Sequence, residues 1–266
     1  MTIKEYIEKY ISKGFTTAQA RSFTAQQIIL SKIEKSKYVD KVLLKGGVVM
    51  YNITQEQRRS TLDLDFDLIR VDIQSNDKIA QFINDLNNKD SNYHVKVSGL
   101  IEELHHQDYK GKRIKVEISD ESESIKFKMD IGVHTLLAIE QKKMCFNFEE
   151  GEELTLLVNP PEQIFAEKLF SLVKIGPISE RFKDIDDMYY LCKNLSLDID
   201  KVKECLELIT VSKPYGIKDV SEVISKADEY LNDSFFKKNY IANNGSWLNI
   251  DYDQAVKEII KFIYKI

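Results

Sequence analysis

Residues 62–73, LDLDFDLIRVDI, alternate apolar and mostly acidic positions with a period of two, and this alternation narrows the fold more than any other feature of the chain. In a strand of this pattern Asp63, Asp65 and Asp67 share one face and Leu64, Phe66 and Leu68 share the other, so one side builds a core while the other collects carboxylates. Same-face neighbours then stand roughly 6–7 Å apart at Cα. Aspartate is a poor strand former and like charges on one face repel, so something must compensate them. A solvated edge face is one answer, because charged strands guard sheets against edge-to-edge pairing. A bound cation is the other. A calcium loop does not fit, with Leu68 where such a loop needs glycine and Gln74 where it needs glutamate. Magnesium suits the pattern better, since one or two carboxylates and substrate phosphates hold it together.

The preceding segment supplies a place for phosphates. LLKGG (43–47) ends a short apolar run in Gly46 and Gly47, and VVMYNI behind them can open a short helix. Without a Cβ, paired glycines let backbone N–H groups approach a phosphate closely at the positive end of the helix dipole. A lone Gly-Gly is commonly a mere turn. Followed by R-x-T-x-D-x-D over 59–65, it is a far more specific pattern.

At 266 residues the chain can bury a sizeable core or form two small domains. Periodicity predicts helices over the first forty positions, ending near Lys37, then a short strand at 41–45, the strand at 62–73, a helix at 77–88 and strands at 93–100, 112–119 and 125–133. From about residue 160 the pattern turns helical throughout, with Asn159 as the expected N-cap and prolines in the first turn. The expected fold class is α+β: a domain over 1–150 built on a mixed sheet with flanking helices, then a helical C-terminal domain over 151–266. A net charge of -5 advertises no strong field for nucleic acid, leaving room only for a local basic patch. Cys145, Cys192 and Cys205 are scattered, outside any disulfide or zinc pattern, and fit a reducing cytoplasm. No run has the length of a signal-peptide core or a membrane span, so a cytoplasmic protein without a membrane partner is expected.

Taken together, these motifs resemble the nucleotidyltransferase superfamily, whose signature is a glycine pair, a short helix and a strand bearing D-x-D. Within it the chain is similar to the AbiEii/AbiGii toxin family, the toxin half of abortive-infection and type IV toxin–antitoxin operons. The matching blocks are LLKGG (43–47), RRSTLDLDF (58–66), IKFKMDIG (125–132), EQIFAEKL (162–169) and KDIDDMYYL (183–191). Beyond residue 195 only helical character is shared. The resemblance implies a nucleotidyltransferase-like fold and transfer of NMP from an NTP to an acceptor hydroxyl. It also implies that Asp63, Asp65 and Asp130 hold Mg²⁺ or Mn²⁺, and that these three with Lys168 and Asp187 form the catalytic set. Gly46, Gly47, Arg59, Thr61, Lys168 and Asp184 are the implied nucleotide contacts, and Asp130 the base that takes the proton of the attacking hydroxyl. The implied partners are the NTP, a tRNA or other RNA acceptor, and a cognate antitoxin. Lys183 stands where arginine is the more usual neighbour of Asp184.

The residues keep their own alternatives. In 125–133 an outward Asp130 is also what an ordinary alternating strand would carry. Lys168 shares a helix row with Ile164, Leu172 and Ile175, where a lysine commonly snorkels; Asp184 and Asp187, one turn apart, either orient it by pairing or are plain surface charges. Within YKGKRIKVE (109–117), Lys110, Lys112, Arg113 and Lys115 are candidates for a cationic strip that tracks an RNA backbone, and FFKKNY (235–240) is a second. His105 and His106 diverge as neighbours while His94 and His134 stand isolated, so no zinc site is expected. Trp247 is expected in the core. Two other functions stay open: an antibiotic-modifying nucleotidyltransferase with a small-molecule acceptor, and a catalytically idle nucleotide-binding protein, against which the intact Asp63, Asp65 and Asp130 argue.

Overall fold

A computed structural model describes residues 1–73, 75–87, 92–104, 111–148, 151–212, 215–243 and 246–266. Gln74, His105, His106, Tyr109 and Lys110 lie outside the described residues. The chain divides into two compact units, Met1–Asn159 and Pro160–Ile266. The division falls after Asn159 rather than at 150, because the segment Glu153–Val158 is a strand of the first unit's sheet.

The first unit contains helices α1 (Ile3–Ser12), α2 (Thr17–Glu34), α3 (Gly46–Thr54) and α4 (Asn76–Asp85). Its strands are β1 (Val42–Lys45), β2 (Leu64–Leu68), β3 (His94–Val97), β4 (Glu102–Leu104), β5 (Gly111–Ser119), β6 (Ser124–Val133), β7 (Lys142–Asn147) and β8 (Glu153–Val158). Thr2 and Thr16 start α1 and α2 with capping boxes, each side chain accepting the N–H three residues on. The strands join one mixed sheet in the order β3-β5-β6-β2-β1-β8-β7, with β4 also pairing β5. Strand β2 runs antiparallel to β1 and parallel to β6, which places its carboxylates between two neighbours.

The alternation of β2 has the expected result. Leu64, Phe66 and Leu68 are fully buried on one face beside Leu44, Met129 and Ile131, and Phe66 meets Phe82 of α4 with ring centroids 5.9 Å apart. Each such side chain contributes about 1.5–3 kcal/mol on burial. Same-face repulsion in a sheet costs less than about 1 kcal/mol per pair, so the core face can impose the carboxylate face. The strand is shorter than 62–73: beyond Leu68 the chain turns at Arg70, whose φ of 53° is incompatible with a strand.

The second unit is helical: α5 (Pro161–Ile175), α6 (Lys183–Asn194), α7 (Ile199–Ser212), α8 (Val220–Leu231), α9 (Ser234–Ala242) and α10 (Tyr252–Ile263). Pro160, not Asn159, is the N-cap of α5, with Pro161 at the first helical position. Asn159 instead extends the line of β8, donating its N–H to the Leu44 carbonyl at 3.2 Å. Asp219, Asp233 and Asp251 cap α8, α9 and α10 through their side chains. The buried Asp186 of α6 ties this unit together. Its carboxylate accepts from the Tyr240 hydroxyl (2.6 Å), Ser246 Oγ (2.8 Å) and the N–H groups of Trp247 (2.5 Å) and Leu248 (3.0 Å). Trp247 is buried, as expected from the sequence. Among the described residues no helix is long and apolar enough to cross a membrane.

Candidate active site

The glycine pair meets the D-x-D strand in direct contact. Gly46, at φ +67°, lies so close to β2 that a Cβ there would come 2.7 Å from Asp65 Oδ2, and a Cβ on Gly47 would come 2.5 Å from Thr61 Cβ. Glycine is therefore required twice, once for backbone conformation and once for space. No side chain caps α3, so the N–H groups of its first turn are open to an anion. Gly47→Ala is expected to cost the first unit about 1–3 kcal/mol through overpacking. A lowered denaturation midpoint checks this; an unchanged one would contradict the close approach.

Helix α2 positions the segment that leads into β2. Gln19 Nε2 donates to Ser60 Oγ (2.8 Å), Ser22 Oγ to the Leu62 carbonyl (3.2 Å), and Gln26 Nε2 to the carbonyls of Thr61 (3.0 Å) and Asp63 (3.2 Å). Thus held, Thr61 turns its hydroxyl onto Asp63 Oδ1 at 2.6 Å. Sequence reading missed this row. Its signal was a set of polar residues at i, i+3 and i+7 on one row of the helix.

Lys45, Asp65, Asp130 and Arg113 are successive cross-strand partners on β1, β2, β6 and β5, so they emerge in a row on one face. Asp63 and Asp67 flank Asp65 on the same side. Lys45 pairs with Asp67, Lys128 with Asp63 at 2.8 Å, and Arg113 clamps Asp130 with both oxygens, Nε to Oδ1 at 2.8 Å and Nη2 to Oδ2 at 2.7 Å. Of the four carboxylates only Asp65 has no hydrogen bond or ion pair among the described residues. Burial, and then the charge of Asp63, pushes its carboxyl up to about 6 in spite of Lys45 nearby. Burial acts on Asp63 in the same direction, but hydrogen bonds from Lys128 and Thr61 outweigh it and hold that carboxyl below its ordinary value. Asp67 is thus accounted for by Lys45, whereas the charge of Asp65 is only partly offset by Lys45 and Lys128.

That donor set fits a hard divalent cation. Asp65 is partly buried, has no bonded ion-pair partner among the described residues and lies between two further carboxylates, and an all-oxygen set suits Mg²⁺ or Mn²⁺. Among the described residues no three acidic, histidine or cysteine side chains stand as a preformed metal cage. Lys128 and Arg113 occupy the flanking carboxylates.

In the second unit Lys168, Asp184 and Asp187 come together. The Lys168 ammonium pairs with Asp184 and, at 2.7 Å, with Asp187 Oδ2, and all three residues are buried. Pairing is therefore the arrangement seen, rather than a lysine reaching for water. Asp184 also accepts from Arg181 Nε at 2.7 Å, and Asp187 from Trp247 Nε1 at 3.0 Å. Burial pushes the Asp184 carboxyl up, but Lys168 and Arg181 more than offset it and leave it lowered to about 2. Beside Lys183, Arg181 thus supplies an arginine to Asp184.

One expectation needs correction. Among the described residues Lys112, Arg113 and Lys115 do not form one strip, because alternation along β5 sends Lys112 to the opposite face. There it is buried against Glu103 of β4, its ammonium 3.4 Å from Asn76 Oδ1. Arg113 is engaged with Asp130, and of the described members of the strip only Lys115 is exposed on the carboxylate face, with Lys126 of β6. Arg59 is buried at the end of the 3-10 turn Gln57–Arg59, in the segment that leads into β2.

A glycine turn heading a helix, set against a strand of paired carboxylates with a third acid on the parallel neighbour, defines this chain as a nucleotidyltransferase. More particularly, the family model for the nucleotidyl transferase AbiEii toxin of type IV toxin–antitoxin systems matches residues 28–255, and the chain belongs to that family. Among solved structures, JHP933 from Helicobacter pylori is similar at 14% identity and a TM-score of 0.47, over 94% of this chain and 92% of that one. An antigenic nucleotidyltransferase-like protein from Paracoccidioides brasiliensis is similar at 14% identity and a TM-score of 0.45, over 76% of this chain and 92% of that one. No curated protein matches the chain.

Proposed function

We propose that the protein moves a nucleoside monophosphate from an NTP onto an RNA hydroxyl, the 3′ end of tRNA, in a metal-dependent reaction in the cytoplasm, and that a cognate antitoxin counters it. The observation that carries this reading is Asp65, a carboxylate with no bonded ion-pair partner among the described residues, set between Asp63 and Asp130 and packed against the Gly46 turn. Asp63 and Asp65, with Asp130 as the third carboxylate, would hold Mg²⁺ or Mn²⁺. Once bound, the metal steadies the triphosphate and neutralises charge that develops on it. The open N–H groups of α3 bind phosphate oxygens. The acceptor oxygen attacks the α-phosphorus, the bond from that phosphorus to the bridging oxygen breaks, pyrophosphate leaves, and Asp130 takes the hydroxyl proton.

Lys115 and Lys126 serve the acceptor. Lys115 faces Lys128 directly across the β5–β6 ladder, a like-charge pair that is unfavourable alone and relieved beside a polyanion. Replacing Lys115 and Lys126 together by alanine is expected to raise the KM for RNA several-fold and leave NTP binding unchanged. Each lost phosphate contact should flatten the log-log salt dependence by about 0.7 on a single strand. An unaltered KM and slope would make the two lysines plain surface charges. The function itself is tested by incubating the protein with each α-labelled NTP, Mg²⁺ and total cellular RNA and resolving the labelled product. Label in tRNA supports the reading; label found only in an added aminoglycoside would transfer it to the antibiotic-modifying alternative.

A further inference from the structure

Arg113 grips Asp130 by both carboxylate oxygens, in competition with the roles assigned to that carboxylate in transfer. Both carboxylate oxygens lie in the guanidinium fork, at 2.8 and 2.7 Å, so one acceptor site on each oxygen is taken and the adjacent positive charge opposes both a cation and a proton at Asp130. The two partners are unequally anchored. Asp130's side chain is 10% exposed and fixed in the middle of the sheet, whereas Arg113's is 38% exposed, so the arginine can leave while the carboxylate stays. In direct contact with the carboxylates of this cluster, Lys45 pairs with Asp67, Lys128 with Asp63 and Arg113 with Asp130, while Asp65 is in bonding contact with none of them; Lys115, Lys126, Glu102 and Glu117 lie farther out on the same face. A divalent cation entering among these paired carboxylates competes with the cations already holding them. Lys45 is tied to the buried Asp67, and Lys128 to Asp63. Lys128 meets a single oxygen of Asp63, whereas Arg113 spans both oxygens of Asp130, the carboxylate that must also take the hydroxyl proton.

We propose that Arg113 is an exchangeable counterion. It holds Asp130 in the free protein, gives the carboxylate up when the divalent cation and NTP bind, and moves its fork to a phosphate oxygen of the triphosphate. The inference rests on the reading of Asp63, Asp65 and Asp130 as the metal-binding carboxylates. A guanidinium suits both states, because its planar donors match carboxylate and phosphate alike. The exchange couples loading to activation: Asp130 becomes a competent base only when the triphosphate is in place to receive Arg113.

The consequence is a pair of effects with opposite signs. Arg113→Gln removes the competitor for Asp130, so Mn²⁺ binding without nucleotide, followed by electron paramagnetic resonance, should tighten by about tenfold, the influence of one neighbouring charge at this range. The same variant loses the phosphate contact, so the α,β-methylene analogues of the NTPs, at saturating Mn²⁺, should bind about tenfold more weakly. Arg113→Lys keeps the charge without the fork and should move both constants the same way by less, which preserves the test if the glutamine variant folds poorly. A merely structural clamp predicts otherwise: either both affinities fall with the melting temperature, or neither changes, and each result overturns the proposal. Asp65→Asn in the same titration separates the two levels. If wild-type Mn²⁺ binding does not depend on Asp65, the metal reading fails and the exchange falls with it. If it does depend on Asp65 but is unmoved in both Arg113 variants, the exchange alone is wrong.

Discussion

Asp65→Asn is expected to lower nucleotidyl transfer by about 10³-fold or more and, in the same protein, to raise the melting temperature measured without metal. The loss follows from removing a ligand charge worth several kcal/mol of transition-state stabilisation while keeping the side-chain shape. The gain follows from the position of the carboxylate. Burial and Asp63 push the Asp65 carboxyl from an ordinary value near 4 up to about 6, so the folded chain holds a proton there that the unfolded chain releases. Ionising Asp65 therefore costs nothing below about pH 4. The cost builds as pH rises toward 6 and stays constant above it. Allowing for its partial exposure, that cost is about 1–2 kcal/mol, or about 2–8 °C in a unit of this size. Melting curves of wild type and variant should thus separate above pH 6 and converge below pH 4. Near-normal transfer by the variant, or a lower melting temperature at every pH, would remove Asp65 from the role assigned to it.

The second large effect lies in the helical unit. Lys168→Ala leaves Asp184 and Asp187 buried without their shared cation, and breaking a buried pair in this way costs about 3–5 kcal/mol. Arginine should restore only part of this, because a planar fork does not fit a pocket built around a point charge between two carboxylates. The pH dependence has the sign opposite to that of Asp65. Lys168 and Arg181 hold the Asp184 carboxyl at about 2, so its contribution is fully present above about pH 4 and is lost as pH falls toward 2. Acid denaturation midpoints of wild type and Lys168→Ala check it: the wild type should show the steeper loss at low pH. Measuring transfer on the same preparations separates a nucleotide contact from a scaffold role. If Lys168→Ala melts normally, the buried cluster contributes little and the account of this unit is wrong.

Much of this was legible in the residues, and for a definable reason. The alternation through Leu64, Phe66 and Leu68 reports burial on one face directly, and β5 and β6 carry the same signal, so the central strands and the carboxylate face were readable. Strand β7 was not, because it buries only Phe146 among exposed neighbours, and an edge strand with one inward residue has no period to detect. The fate of Lys112 followed from alternation as well, yet a lysine on the core face needs Glu103 from β4, a pairing between strands that no local pattern reveals. For the same reason the Gly-Gly turn looked like a generic phosphate cradle. Its stricter cause, the closeness of Asp65 and Thr61, depends on register. Asp186 went unnoticed among the acids of α6, since its four donors come from residues 240–248.

The central claim is that the carboxylates of β2 and β6 serve metal-dependent nucleotidyl transfer, and release of pyrophosphate tests it most directly. Wild type, Asp65→Asn and wild type with excess chelator are incubated with NTPs and total RNA, and pyrophosphate is measured beside incorporated nucleotide. The account predicts equal amounts of the two from wild type with Mg²⁺ or Mn²⁺ and neither from the other samples. Pyrophosphate release that persists in the chelator, or that Asp65→Asn matches, would contradict it.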